Sequence, residues 1–169
     1  MYKRQKPFRV WLENWEVTGD STKDHFPQII RAKTEEVELE LELTSLKPFV
    51  LQGNQGHSQK GSRPGNASYY YSFTRMKTQG VLKIQGTPFQ VQGHSWMDRE
   101  WSTSALEKGQ IGWDWFALQL SDGREIMLYQ IRLENGKPDS TSKGVVVDQN
   151  GKTTPVSYTH LRAHETLDN

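Results

Sequence analysis

Acidic, basic and aromatic residues are interleaved in two neighbouring segments of the sequence, 94–102 and 112–116. The first reads His-Ser-Trp-Met-Asp-Arg-Glu-Trp-Ser and the second reads Gly-Trp-Asp-Trp-Phe. Four of the six tryptophans of the chain lie in these segments: Trp96, Trp101, Trp113 and Trp115. Rigid aromatic rings mixed with a few ionisable groups are typical of the wall of a small-molecule pocket. The alternative is a tryptophan-rich core with satisfied surface charges.

Asp98 and Glu100 are the acids of the first segment. Residues two apart share a face of a β-strand, so both acids would lie with Trp96 on one side. His94 and Arg99 complete the ionisable set. A lone histidine on a strand is more often a hydrogen-bonded structural residue than a functional one. Arg99 could pair with either acid and hold it ionised, which would make the cluster structural.

The composition excludes several classes of protein. The chain has 169 residues, enough for one domain with a core. An aromatic content of 11% and a net charge of +1 argue against disorder and against a general nucleic-acid binder. No stretch is apolar enough to span a bilayer, and no apolar segment follows the basic start as in a secretory signal. These features leave the compartment open.

No metal or other cofactor is predicted. The chain has no cysteine, which removes disulfides, thiolate catalysis and cysteine-ligated metal sites. His25, His57 and His94 are dispersed, and their spacing is not typical of a metal site. The other two of the five histidines, His160 and His164, lie in an unusual C-terminal segment.

Alternation of polar and apolar residues predicts β-strands along most of the chain. In segment 36–44, valine and leucine alternate with glutamate. Glutamate and leucine favour helices, but only a strand puts the apolar residues of this segment on one face. Further short segments are joined by glycine turns such as Asp122-Gly123. The predicted fold is therefore all-β, an antiparallel barrel or sandwich. A tyrosine-rich strand is predicted over 68–74, with three residues on one face: Tyr69, Tyr71 and Phe73.

A long glycine-rich loop, residues 53–66, interrupts this series of strands. Loops of this length in compact domains tend to be functional or disordered. Lys60 and Arg63 make the loop basic. Its spacing does not match the pattern Gly-x-x-x-x-Gly-Lys-Ser/Thr and no helix is predicted after it, so a phosphate-binding loop is excluded.

The C-terminal segment from Pro155 has a foreign appearance. Residues 156–166 read Val-Ser-Tyr-Thr-His-Leu-Arg-Ala-His-Glu-Thr, which matches an in-frame translation of a sequencing-library adapter. We therefore expect residues 155–169 to be a non-native, adapter-like tail that packs on nothing specific and carries no function. The alternative is a genuine amphipathic helix.

Several motifs together resemble one protein family. They lie at 47–53, 59–61, 65–72, 95–102 and 112–132. The most specific are Trp-Met-Asp-Arg-Glu-Trp and Gly-Trp-Asp-Trp-Phe-Ala-Leu-Gln-Leu. Over residues 7–151 the chain resembles the AttH-like proteins, relatives of carotenoid 1,2-hydratase (hydroxyneurosporene synthase) that are often labelled secreted hydrolases.

The resemblance implies two lipocalin-like β-barrels in one chain about twice as long. On that basis the present chain is expected to be a fragment. Residues 1–105 would form later strands of the first barrel, and residues 106–154 would form the first strands of the second. The remainder of the second barrel would be the missing partner of this piece.

The resemblance also implies a chemistry, the addition of water to a carbon–carbon double bond. A carboxylic acid kept protonated by apolar surroundings can donate the proton, and aromatic ring faces can stabilise the resulting cation. We expect Asp98 to be the proton donor, with Glu100 or His94 positioning the water.

The expected ligand is an apolar, isoprenoid-like small molecule. The substrate-binding residues predicted for it are aromatic: Trp96, Trp101, Trp113, Trp115, Tyr129 and Tyr70. The activity would be that of a hydro-lyase. Two other functions fit the same residues, a non-catalytic lipocalin-like carrier of a hydrophobic ligand and a lipocalin-like cyclase that folds a polyene without net water.

Overall fold

The computed structural model describes residues 2–5, 7–20, 25–103 and 106–157, the first of these ranges by its backbone alone. Within these residues the chain forms thirteen β-strands and no helix, so no helix there could cross a membrane. The prediction of an all-β antiparallel fold is confirmed. The strands are β1 (Tyr2–Gln5), β2 (Phe8–Leu12), β3 (Trp15–Gly19), β4 (Gln28–Lys33), β5 (Val37–Ser45), β6 (Val50–Leu51), β7 (His57–Gln59), β8 (Ala67–Ile84), β9 (Thr87–Trp101), β10 (Gln110–Gln119), β11 (Glu125–Leu133), β12 (Lys143–Val147) and β13 (Thr153–Ser157).

The strands form two antiparallel sheets. The first has the order β1-β2-β3-β4-β5-β8-β6, with β7 and β9 also paired with β8, and the second has the order β10-β11-β12-β13. The chain therefore changes sheet between β9 and β10. Contacts group it into two compact units, residues 1–46 with 75–95 (the first unit) and residues 47–74 with 96–169 (the second unit). Assigning the residues on either side of 105 to two barrels remains a prediction.

The first unit shows how alternation overrides helix propensity. β5 covers the glutamate-rich segment, whose strand prediction is confirmed. Leu43 is buried on one face of this strand. On the other face, Glu40 lies 2.7 Å from Arg31, which also lies 3.5 Å from Glu16. Opposite charges on neighbouring strands stabilise such a face modestly, by about 0.2–1 kcal/mol per pair.

The second unit has its core on one face of the four-stranded sheet. Alternate residues of β11 are buried, starting at Glu125 and ending at Ile131. The apolar ones among them pack with residues of β6, β8 and β12. This core consists of Val50, Tyr70, Met127, Tyr129, Ile131, Val145 and Val147, with Trp96 and Leu106 packed against it.

β8 buries the face opposite to Tyr69. Tyr69 is 60% exposed, whereas the even-numbered residues from 68 to 78 are all buried. Most of these carry a hydroxyl group, so the buried face of β8 is polar. We call Ser68, Tyr70, Ser72 and Thr74 the hydroxyl face, since all four belong to the second unit.

β13 corrects the prediction that the segment from Pro155 packs on nothing. Residues 155–157 belong to this strand and pair with Val145, Gly144 and Lys143 of β12. The free edge of β12 offers unpaired N–H and C=O groups, and an extended segment satisfies them with little demand on its side chains. Residues 158–169 lie outside the described part of the chain, and the adapter origin remains a prediction.

A buried ion pair joins the connection between β5 and β6 to the four-stranded sheet. Lys47 Nζ lies 2.8 Å from Glu125 Oε2, and the two side chains are 7% and 0% exposed. The ammonium also donates to the carbonyl oxygens of Gly123, at 2.5 Å, and Asp148, at 2.8 Å. Thr74 donates to Glu125 Oε2 at 3.3 Å. The carboxylate and the ammonium are thus both well hydrogen-bonded, as burial requires.

We expect Lys47→Met to lower the free energy of unfolding by about 3–5 kcal/mol, because it leaves the Glu125 carboxylate buried without a counter-charge. Urea denaturation followed by tryptophan fluorescence measures this loss. Lys152→Met is the matched control, since Lys152 is exposed. The double variant Lys47→Met/Glu125→Leu should recover part of the loss. Equal stability of Lys47→Met and Lys152→Met would contradict the role of the pair.

Candidate functional site

A cavity of about 300 Å³ lies within the second unit. β10 turns Trp113 and Trp115 to the same side, and on β11 their partners in register are Ile131 and Tyr129. One part of the wall is therefore aromatic and aliphatic, while loop and strand residues make another part polar. The apolar lining residues are Leu106, Trp113, Trp115 and Ile131, and the others are Lys60, Ser68, Glu100, Ser102, Gln110 and Tyr129.

Asp98 is held by two hydroxyl groups of β8. Tyr70 donates a hydrogen bond to Asp98 Oδ1 at 2.8 Å, and Ser72 donates to the same oxygen at 2.5 Å. The indole N–H of Trp115 donates to the Tyr70 hydroxyl oxygen at 3.2 Å. The cavity wall is thereby connected to Asp98 through one phenol. Among the described residues, none donates a hydrogen bond to Asp98 Oδ2.

Glu100 is the carboxylate on the cavity wall itself. Its Oε1 accepts a hydrogen bond from the Ser68 hydroxyl and lies 2.9 Å from the Lys60 ammonium. The Lys60 nitrogen also lies 4.0 Å from the centre of the Tyr129 ring and 5.3 Å from that of Tyr70. Contacts of this length between an ammonium and an aromatic face are attractive. Lys60 is therefore fixed between a carboxylate and two phenol rings.

The two buried phenols have shifted acidities. Burial, followed by the neighbouring Asp98 carboxyl group, raises the pKa of Tyr70 well above its ordinary value. Burial also raises the pKa of Tyr129, although a hydrogen bond between Tyr129 and Ser58 opposes the shift. Both phenols therefore keep their protons at neutral pH, and Tyr70 acts as a hydrogen-bond donor to Asp98.

Four of the nine residues predicted from the sequence line this cavity: Glu100, Tyr129, Trp113 and Trp115. Tyr70 and Asp98 do not line it, and they are connected to its wall through the hydrogen bond from Trp115 to Tyr70. Trp96 is half-buried against the core of the same unit, and its buried indole nitrogen has no hydrogen-bond partner among the residues that the structure describes.

Two predicted residues lie elsewhere. Trp101 is 52% exposed on the opposite face of β9, where its ring stacks on Tyr69 with centres 5.9 Å apart. His94 is exposed and belongs to the first unit. Arg99 makes no ion pair within the described residues, so it is not the partner of either acid there. No group of three or more potential metal ligands occurs in the described ranges.

Lys60, Ser68 and Ser72 were not among the site residues predicted from the sequence. A signal for the two serines is present in the sequence. Hydroxyl residues alternate along β8 while carboxylates alternate along β9, the next strand of the chain, so a hairpin brings the two sets together. Lys60 has no such signal, because it lies in a loop and its contacts depend on how that loop folds.

We expect an ultraviolet difference titration between the native chain and Tyr70→Phe to show Tyr70 ionising well above about pH 10, the ordinary value for a phenol. A raised folded-state pKa makes the folded state hold this proton more tightly than the unfolded state. The stabilisation is complete below about pH 10 and is lost as pH rises through the folded pKa. Unfolding free energy should therefore decline less steeply above pH ~10 in Tyr70→Phe than in the native chain. A difference-titration midpoint at or below that pH would contradict the burial argument.

Solved structures of known proteins are similar to this chain, among them the following two. A crystal structure of an AttH protein from Nitrosomonas europaea is 33% identical with a TM-score of 0.79, and the match covers 88% of this chain and 45% of that one. Kievitone hydratase from Nectria haematococca is 19% identical with a TM-score of 0.67, and the match covers 89% of this chain and 46% of that one. At this level of identity, the similarity to kievitone hydratase shows a shared fold alone. The present chain spans a little under half the length of both relatives.

No curated protein matches the chain. The family model described as AttH-like matches residues 1–167, nearly the whole chain, and the resemblance seen in the sequence motifs is confirmed. The antiparallel strands accordingly form a lipocalin-like, all-β fold. The chain belongs to the AttH-like family.

Proposed function

We propose that the cavity binds an apolar, isoprenoid-like small molecule and that Asp98 starts the addition of water to its carbon–carbon double bond. One observation carries the proposal: three carboxylates meet the hydroxyl face of β8, and two of them have a lysine. Glu125 is paired with Lys47 and Glu100 with Lys60. In the part of the chain that the structure describes, Asp98 has no lysine or arginine partner.

Asp98 has the hydrogen bonds that a neutral carboxylic acid would make. Tyr70 and Ser72 both donate to Oδ1, as they would to the carbonyl oxygen of a protonated carboxyl group. Oδ2 is then the atom that carries the proton. Asp98 therefore fits the role of a general acid.

The proposed reaction balances its protons between the two acids. Asp98 transfers its proton to one alkene carbon, and the indole faces of Trp113 and Trp115 stabilise the cation on the other carbon. A water molecule held by Glu100 bonds to that carbon, and Glu100 accepts the proton that the water loses. Glu100 then releases this proton to solvent and Asp98 takes one up, which restores both acids. The net change is the addition of one water molecule.

The comparisons support a hydratase without defining its substrate. One relative of the same fold is a hydratase by name, but at 19% identity the name describes that protein alone. A non-catalytic carrier is the second candidate. The ion pair between Lys60 and Glu100 favours it, because a carboxylate held by an ammonium is a weaker base for water.

We expect Asp98→Asn to lower turnover by about 10²–10⁴-fold, the usual contribution of a general acid. The asparagine oxygen can still accept from Tyr70 and Ser72, so the melting temperature should change little. Incorporation of heavy-oxygen water into isopropenylnaphthalene, followed by mass spectrometry, measures turnover. Glu100→Gln should lower turnover as well, through the water step. Unchanged turnover in Asp98→Asn, or ligand binding without turnover in the native chain, would favour the carrier.

We expect Trp113→Ala to weaken ligand binding by roughly 1–3 kcal/mol, the scale of burying one large apolar side chain. Quenching of tryptophan fluorescence by isopropenylnaphthalene measures the affinity. Trp101→Ala is the matched control, because Trp101 has similar exposure but lies on the other face of β9. Equal losses in the two variants would remove Trp113 from the binding wall.

A further inference from the structure

We propose that Lys60 is a specificity-determining residue that binds a neutral oxygen atom, a carbonyl or hydroxyl, on the apolar ligand. The inference rests on the proposed function, since it adds a polar group to the ligand of the same cavity. Lys60 belongs to the basic glycine-rich loop, for which the sequence suggested no function.

The backbone of Lys60 is fixed on both sides. Its N–H donates to the Asn66 carbonyl at 2.8 Å, and its carbonyl oxygen accepts from Gln110 at 3.0 Å and from Thr141 at 3.2 Å. A Cβ atom on the next residue, Gly61, would lie 2.5 Å from a carboxylate oxygen of Glu107, so a side chain there would displace that carboxylate. A loop residue held in this way presents its side chain in a defined position.

The ammonium of Lys60 has more N–H groups than it has acceptors among the described residues. It carries three N–H groups, and Glu100 is its only hydrogen-bonding partner among the described residues. The phenol ring of Tyr129 covers another side at 4.0 Å. The side chain lines the cavity and is 23% exposed. An oxygen atom of a bound molecule can therefore accept a hydrogen bond from it.

Neighbouring polar groups of the wall are already engaged. Ser68 donates to Glu100. The amide nitrogen of Gln110 donates to Lys60 and to Asp139, and its amide oxygen accepts from the Glu107 N–H. Neither residue offers the ligand an unused donor as strong as a charged ammonium. Lys60 is thus the cationic hydrogen-bond donor among the described residues that line the cavity.

The charge balance selects a neutral oxygen over an anion. Lys60 and Glu100 cancel one another, and Asp98 is neutral in the proposed reaction. A carboxylate on the ligand would add an unpaired charge to a partly desolvated cavity, which is costly. A carbonyl or hydroxyl oxygen gains a charge-assisted hydrogen bond without adding charge. The ligand class is therefore an apolar molecule with a double bond and one neutral oxygen acceptor.

Binding of three probes of similar shape to the 169-residue chain tests this inference. Acetylnaphthalene has a carbonyl oxygen, isopropenylnaphthalene has a methylene group in its place, and naphthoate has a carboxylate. We expect the native chain to bind acetylnaphthalene roughly tenfold to a hundredfold more tightly than isopropenylnaphthalene, the range given by a hydrogen bond to a charged group. Naphthoate should bind more weakly than acetylnaphthalene.

Lys60→Met should abolish the preference for acetylnaphthalene, while Lys60→Arg should retain it. Arg63→Met is the control, because it removes a basic side chain of the same loop that is 75% exposed and does not line the cavity. A native chain that binds the three probes equally or not at all, or a preference that survives Lys60→Met, would overturn the inference. These are equilibrium measurements, so a chain that shows the preference but hydrates nothing refutes only the proposed function.

Discussion

The hydroxyl face of β8 is the constraint on which the second unit depends. A buried hydroxyl group without a hydrogen-bond partner costs about 1–3 kcal/mol, so a strand that buries four of them needs acceptors close by. Carboxylates supply these acceptors. Ser68 donates to Glu100, Tyr70 and Ser72 donate to Asp98, and Thr74 donates to Glu125. One strand face thus gathers three acids from β9 and β11, and the geometry of the site follows from satisfying that face.

The acids gathered in this way then differ in their counter-charges. Glu125 is fully buried and is stabilised by Lys47, which lies between β5 and β6 and also donates to the carbonyl oxygen of Asp148. Glu100 lies at the cavity wall and is stabilised by Lys60. Asp98 lies between them on the hydroxyl face and receives hydrogen bonds alone. Hydroxyl groups can donate hydrogen bonds to a carboxyl group in either protonation state, whereas a lysine ammonium favours only the ionised one. The absence of a lysine beside Asp98 among the described residues is the reason that we propose this acid as the proton donor.

The fold was largely predictable because a β-sheet repeats every two residues. The alternation of leucine and glutamate in β5 and the Asp122-Gly123 turn between β10 and β11 each suffice to predict local structure. The choice of buried face in β8 was not predictable by the same reasoning. Hydrophobicity favours burying the face of Tyr69, Tyr71 and Phe73, but only Phe73 is buried on that face. The opposite face is buried along its length, since its hydroxyl groups meet acids from elsewhere in the chain. Pairing of residues 155–157 with β12 was also missed, because an open sheet edge accepts an extended segment through its backbone.

The site was predictable to the extent that it lies on strands. Trp113, Trp115, Asp98 and Glu100 follow from two motifs whose alternation gives their faces. Lys60 does not follow, because the conformation of its loop depends on contacts between residues at least 41 positions apart. Asn66 donates to Glu107, and the carbonyl oxygen of Lys60 accepts from Gln110 and Thr141. Such contacts leave no periodic trace in a sequence. A polar strand face nevertheless does leave one: hydroxyl residues spaced by two, followed after a hairpin by acids spaced by two. Where both alternations occur, the acids accept hydrogen bonds from the hydroxyl groups, so burying the polar face costs less free energy than burying it without acceptors. A pocket lined by acids is then the structure to expect.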